Sequence, residues 1–377
     1  MSLEMMNPFF CQTQVFTRLP FAKGVSKLAN GHCPLLLTTA GWLERNIDKT
    51  VRSQLITDLV VADPINSHPK LLDIIAMEKS LPIFDQIIAV GGGSTIDAAK
   101  ALAALRALDS NASLFKNTVI DATPFGDDFA PSPIVAIPTT SGTGSEVTRW
   151  GTLWGPYMEK YSIMHPTLYP TSAILDPTLC VSMPEDVTLY SGLDAISHAM
   201  EAIWNRNHTP ASDMASTASI RALKRTLPLV LNNPDSLELR QQIQIAALYA
   251  GYAMGTTQTA LAHSISYPFT AKFGLPHGFA CSFSLGEVAR YNTEADSARV
   301  GLIADAFDCS LDELPDKFHN WIKEMGVVHY LKNYIPNRTI DCIDEELINP
   351  ARANNNIHNA DEKSAKKIAQ ASLKALF

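Results

Sequence analysis

The run Gly91-Gly92-Gly93-Ser94 stands directly after the apolar segment Gln86–Val90 and shortly before the Ala- and Leu-rich segment Ile96–Leu108, and it constrains the chain more than any other feature. A short apolar run closed by glycines reads as a buried strand, and the residues beyond it favour a helix. The whole is a strand-turn-helix unit. Backbone N–H groups and the positive end of the helix converge at such a turn, where an anion can sit, and a missing Cβ lets the backbone approach a pyrophosphate closely. Ser94 is placed to cap the helix, with Asp97 three residues on at the reciprocal position. The spelling is not G-x-G-x-x-G, so a tight turn with a good cap is the competing reading.

A second loop of related character follows the apolar run Ile134–Ile137. From Thr139 to Glu146 it holds five hydroxyls and two glycines in eight positions. Two such loops at the ends of neighbouring strands point to one ligand crevice. Pro34–Thr38 and Leu59–Ala62 also read as strands, and their alternation with helical stretches predicts a parallel sheet covered by helices. Near Met183 the character changes. Pro184-Glu185-Asp186 can open a helix, and Leu189–Trp204, Ala211–Leu231 and Leu237–Met254 read as long helices, so we expect an α/β domain over 1–183 and a helical domain over 184–377. Leu261–His277 is broken by Pro268, Gly274 and Pro276, which predicts a helix end and then a loop. Asn349–Asn359 reads as a polar loop before a last helix, Glu362–Leu376.

At 377 residues, 46% hydrophobic and 18% charged, the chain is long enough for two cores. Its net charge of -8 is scattered, without the basic stripe that nucleic acid requires. The six cysteines, Cys11, Cys33, Cys180, Cys281, Cys309 and Cys342, are far apart and form no C-x-x-C pair, which argues for reduced thiols rather than disulfides or a thiolate zinc site. Met1–Pro8 lacks a signal-peptide pattern, and no stretch approaches the ~20 apolar residues of a bilayer span. A cytoplasmic protein is expected.

Asp194 and His198 stand four residues apart, so a helix puts both on one face, able to grip one ion. Their neighbours Leu193, Ala195, Ile196, Ala199 and Met200 are apolar, and a buried carboxylate and imidazole need a partner. His263 and His277 flank the broken stretch and can supply two further imidazoles at the same centre. One carboxylate and three imidazoles suit iron(II) or zinc, with a position left for a substrate oxygen. Taken singly, the Asp194–His198 pair reads more readily as a helix-surface ion pair, and His263 or His277 as a satisfied core or surface residue.

With these residues assembled, the chain resembles the iron-containing alcohol dehydrogenases. The likeness runs from roughly Thr38 to Asn292 and is carried by Gly91–Lys100 (GGGSTIDAAK), Ile137–Thr148 (IPTTSGTGSEVT), Ile174–Leu179 (ILDPTL), Ser191–Glu201 (SGLDAISHAME) and Pro276-His277-Gly278. The resemblance implies a dinucleotide-binding α/β domain, an all-α catalytic domain, and metal ligands at Asp194, His198, His263 and His277. It puts cofactor contacts at Gly91, Gly92, Gly93, Ser94, Thr139, Thr140 and Ser145, with Asp97, Lys160 and Leu179 as further positions. Two departures stand out. Tyr267 occupies the place of a proton-relaying histidine, and a phenol with a pKa near ~10 is a poorer shuttle at neutral pH. Thr39 replaces an aspartate that would favour NAD over NADP, so both cofactors remain open.

The implied reaction is hydride transfer between a nicotinamide and a small alcohol or aldehyde, with the divalent metal as Lewis acid and Tyr267 orienting substrate or relaying a proton. The stretch Ala262–His277 is similar to the branch that contains phosphonoacetaldehyde reductases. An anionic substrate calls for a cation, with Arg149 and Lys272 as candidates. A homodimer or larger assembly is implied. The competing readings are a metal- and NAD-dependent lyase like dehydroquinate synthase, and a metal- or nucleotide-binding subunit without turnover.

Overall fold

A computed structural model describes residues 11–157, 159–335 and 346–377. Cys342 and the Met1–Pro8 segment considered above lie outside the described residues. The chain divides into two compact units. One comprises Cys11–Thr140 with Gly144–Cys180, and the other is dominated by Val181–Phe377, with Ser141–Thr143 joined to it.

In the first unit, six strands form one parallel sheet among the described residues: β1 (Gln14–Phe16), β2 (Pro34–Thr38), β3 (Val60–Val61), β4 (Gln86–Gly91), β5 (Ile134–Pro138) and β8 (Ser172–Ile174), in the order β1-β8-β5-β4-β2-β3. The central strands are apolar at nearly every position because both faces are covered. Leu35, Leu37, Ile87, Ala89, Ile134 and Ala136 enter one core, with Ile96 and Leu102 of helix Gly93–Ala107 and Ile74 of helix Leu71–Ser80. Alternate residues Leu36, Ile88, Val90, Val135 and Ile137 enter the opposite core, with Phe21, Val25, Ile47 and Val51 from two other helices. The period of two thus sorts one strand's side chains between two helix layers. An antiparallel hairpin, β6 (Trp150–Trp154) and β7 (Lys160–Met164), packs Leu153 and Ile163 into the first of these cores.

The second unit is helical in its described residues. Helices Glu185–Ile203, Pro210–Asn232 and Leu237–Thr257 pack through Leu189, Leu193, Ile196, Ile220, Leu223, Leu227, Ile243 and Ala247. Thr209 caps the second of them in a reciprocal pair with Ser212. The broken stretch resolves into helix Leu261–Phe273, ended by Gly274 in the left-handed conformation (φ 65°), and a short helix His277–Ser282 after Pro276. Pro268 does not break the first of these helices but sits inside it. The segment read as a polar loop contains one short helix, Pro350–Ala353, before the final helix Glu362–Leu376. No helix among the described residues is long and apolar enough to cross a membrane.

Candidate metal centre and nucleotide cradle

In the first unit, β4 and β5 are adjacent with Gly91 opposite Pro138, and Thr139 N–H donates to the Gly91 carbonyl at 3.0 Å. The two loops therefore begin side by side. A Cβ on Gly92 would come within 3.1 Å of Thr140 Oγ1, a tight contact that the glycine avoids where the second loop lies beside the turn.

The capping role expected of Ser94 and Asp97 is not what forms. Gly92 is the N-cap, in extended conformation and without a side-chain cap, so Ser94 already lies within the helix. Asp97 is turned into the unit, where it accepts from Ser145 Oγ at 2.6 Å and from Thr152 N–H at 3.0 Å. One turn on, the buried Lys100 ammonium donates to Ser145 O (2.7 Å), Ser145 Oγ (3.0 Å) and Trp150 O (2.6 Å). Burial depresses its pKa to about 8, against the opposing attraction of Asp97 and Glu146. Lys100 lay in the quoted motif without a role, yet it ties the hydroxyl loop to the helix that follows the glycines.

The remaining cofactor candidates of this unit fall in distinct places. Thr39 is the N-cap of helix Ala40–Glu44, and Thr139 Oγ1 accepts from the Trp42 indole at 3.3 Å. Lys160 opens β7 with its ammonium 5.9 Å from the Trp154 ring centre. Leu179 is buried in a 3-10 turn, Pro177–Leu179, capped by Asp176.

In the second unit, Asp194 and His198 lie one turn apart on helix Glu185–Ile203, with the His198 Nε2 to Asp194 Oδ1 distance 3.7 Å. His263, from the first turn of helix Leu261–Phe273, brings Nε2 to 3.9 Å from the same oxygen, and His277 brings Nε2 to 4.0 Å. Three imidazoles therefore converge on one carboxylate oxygen. Donors at about 2.0–2.2 Å from a common cation stand roughly 3–4 Å apart, so this spacing suits a shared divalent ion better than direct hydrogen bonds. Asp194 Oδ1 is buried and forms no hydrogen bond, a cost that a cation would remove.

Two features make this convergence possible. A Cβ on Gly278 would overlap the Tyr190 carbonyl oxygen, so the glycine lets helix His277–Ser282 lie against helix Glu185–Ile203, and that contact delivers His277. Behind His263 stands Glu201, fully buried. Its carboxylate accepts from His263 Nδ1 at 2.6 Å and from the N–H groups of Ala260 (2.8 Å) and His263 (3.0 Å). Burial alone would push Glu201 up, but His263 and the two main-chain donors hold it below the usual carboxylate range. Donation from Nδ1 to Glu201 leaves Nε2 as the nitrogen that faces Asp194, the arrangement that orients metal-binding histidines. Sequence reasoning passed over Glu201. Its signal was a carboxylate seven residues after Asp194 on the same buried helix face.

Cys281 is the other residue that was missed. It follows His277 by one turn, and its Sγ lies within a group formed with Asp194, His263 and His277 whose donor atoms are all within 4.8 Å of one another. Among the described residues the cysteines are free, and the thiol here stands among the candidate ligands. Tyr267, one turn beyond His263, accepts a hydrogen bond from Arg352 Nε at 3.1 Å. Arg149 instead lies over the Trp150 ring, 5.2 Å from its centre, in the first unit.

A parallel α/β unit with a glycine turn and a helical unit with a buried carboxylate-imidazole cluster define a class, proteins that join a sheet with a nucleotide-type turn to a helical candidate metal centre. Comparison with known proteins narrows it. The model for iron-containing alcohol dehydrogenases matches residues 20–177, and that for the C-terminal part of the Fe-containing alcohol dehydrogenase family matches residues 188–373. A 1-propanol dehydrogenase of Citrobacter freundii is 30% identical over 76% of this chain and 74% of that enzyme. A phosphonoacetaldehyde reductase of Streptomyces viridochromogenes is 36% identical over 55% of this chain, and the match spans 53% of that enzyme, about half its length. In fold, the chain superposes on a sulfoacetaldehyde reductase of Bifidobacterium kashiwanohense, solved with NAD+, at a TM-score of 0.84 with 22% identity, covering 98% of this chain and 99% of that one. The chain belongs to the iron-containing alcohol dehydrogenase family and is an oxidoreductase.

Proposed function

We propose that the chain is an NAD(H)-dependent dehydrogenase that interconverts a small aldehyde and its alcohol, working as a reductase on an aldehyde with an anionic phosphonate end. The convergence of His198, His263 and His277 on the buried Asp194 Oδ1 carries this reading. These four side chains would hold the divalent metal, iron(II) or zinc, which when bound polarises the substrate oxygen as a Lewis acid. Glu201 keeps His263 oriented in the tautomer that can bind. Gly91, Gly92, Gly93 and Ser94 would receive the cofactor's pyrophosphate at the start of their helix, with Thr139, Thr140 and Ser145 closing over it from the neighbouring strand end. Asp97 and Lys100 position Ser145 for that role. Thr39, Lys160 and Leu179 would contact the rest of the nucleotide, and Thr39, with no charge, would leave room for NADP as well.

The anionic end of the substrate follows from the similarity to a phosphonoacetaldehyde reductase and from a cation beside the candidate site. Arg352 is hydrogen-bonded to Tyr267, one turn from His263, and its guanidinium is a fork suited to a phosphonate. Tyr267 would orient the substrate or relay its proton. Lys272 lies on the same helix, further from His263. We place the protein in the cytoplasm as a homodimer or larger assembly.

The test is an anaerobic assay of the protein stripped of metal and then reloaded with Fe2+ or Zn2+. Phosphonoacetaldehyde and propionaldehyde are each offered with NADH and with NADPH. Metal-restored oxidation of NADH, faster at low substrate with the phosphonate, is expected. Oxidation of neither cofactor with either aldehyde sinks the proposal.

A further inference from the structure

The candidate centre contains one more donor than its three imidazoles and one carboxylate. Cys281 Sγ is fully buried and stands 3.5 Å from both His277 Nδ1 and His277 Nε2. Equal distances put the sulfur off the axis of either nitrogen lone pair, so it does not consume His277 as a ligand. Together with Asp194, His263 and His277 it forms a group of four donor atoms mutually within 4.8 Å, close enough to share a single cation. One atom of that group, Asp194 Oδ1, is buried without a hydrogen bond and points to an absent cationic partner.

We propose that Cys281 is a further ligand of the divalent cation, a thiolate that joins Asp194, His198, His263 and His277 around it. On binding, the cation replaces the thiol proton, which leaves to solvent, and a metal–sulfur bond forms with no change in oxidation state. A soft sulfur donor shifts the preference of the centre from oxygen-loving ions toward zinc, and away from the behaviour of a purely nitrogen-and-oxygen set. The position on the helix explains how the chain achieves this: His277 and Cys281 are four residues apart in helix His277–Ser282, so both face the same side. The inference rests on the reading of this cluster as a metal centre.

Cobalt(II) titration of the metal-free protein separates the two claims. Wild type is expected to develop visible ligand-field bands that saturate at one ion per chain, together with an intense near-ultraviolet sulfur-to-cobalt charge-transfer band. Cys281→Ser and Cys281→Ala should lose the charge-transfer band and keep the visible ones. Visible bands without a charge-transfer band in wild type, or persistence of that band in the variants, overturns the role of Cys281 and leaves the metal centre standing. Absence of all bands in wild type overturns the metal centre itself. X-ray absorption on zinc-loaded wild type needs no variant: a sulfur shell at about 2.3 Å supports the ligand, and a nitrogen-and-oxygen shell alone refutes it.

Discussion

Replacing Glu201 by Gln tests whether the buried carboxylate behind His263 sets up the metal centre. In the native arrangement one carboxylate satisfies three donors, His263 Nδ1 at 2.6 Å and the N–H groups of Ala260 and His263 at 2.8 and 3.0 Å. An amide has a single acceptor oxygen. Placed where Oε2 stands, it can still serve Ala260 and the imidazole, but its NH2 then faces the His263 N–H, and a buried donor is left unsatisfied at a cost of about 1–3 kcal/mol. The imidazole also loses an anionic partner, and such losses weaken metal affinity by roughly 10–100-fold, or about 1.4–2.8 kcal/mol. Calorimetric titration of metal-free Glu201→Gln with Zn2+ should show the weakened affinity, and its melting temperature without metal should fall. A variant that binds Zn2+ as wild type does and melts at the same temperature would show that Glu201 neither orients His263 nor supports the fold.

Arg352→Ala should raise KM for phosphonoacetaldehyde by roughly 10–100-fold, the worth of a hydrogen bond to a charged group, and leave propionaldehyde nearly unchanged. Equal effects on both aldehydes would remove Arg352 from substrate recognition. Gly278→Ala forces the added Cβ into the Tyr190 carbonyl, so it should cost about 1–3 kcal/mol or more and weaken metal binding through His277; unchanged denaturant curves would contradict the close approach. His319 is buried with neither ring nitrogen hydrogen-bonded, and burial lowers its pKa from 6.5 to about 4. Between those values the unfolded chain takes up a proton that the folded chain refuses, so stability falls as pH drops from 6.5 to about 4, by about 3 kcal/mol in all. His319→Leu should flatten that acid limb, and parallel pH-stability curves would refute it. Lys100→Met leaves Asp97 and Glu146 buried without their cation, which should cost about 3–5 kcal/mol and loosen NADH binding; NADH affinity and melting temperature at wild-type values would show that Lys100 does not anchor the hydroxyl loop.

Read by itself, the chain was legible wherever the signal is local. The apolar runs Pro34–Thr38, Gln86–Val90 and Ile134–Ile137 emerge as central strands because burial on both faces demands near-continuous hydrophobicity, which a single window displays. The one-turn spacing of Asp194 and His198 was visible for the same reason. Strands β1 and β8, three residues each, are too short to show a period, and they form because the sheet extends to include them. Ser94 and Asp97 fitted a capping pattern that tertiary packing overrode, because a buried Asp97 gains more from Ser145 and the Thr152 N–H than from the helix start.

What only the tertiary structure decided are the partnerships across long stretches of chain. Glu201 meets His263 62 residues away, Lys100 meets Trp150 50 residues away, and Tyr267 meets Arg352 85 residues away. A helix or strand repeats over a few residues, so its pattern is written in neighbouring letters. Which buried donor finds which acceptor depends instead on how whole elements pack, and on a glycine such as Gly278 that lets two of them touch.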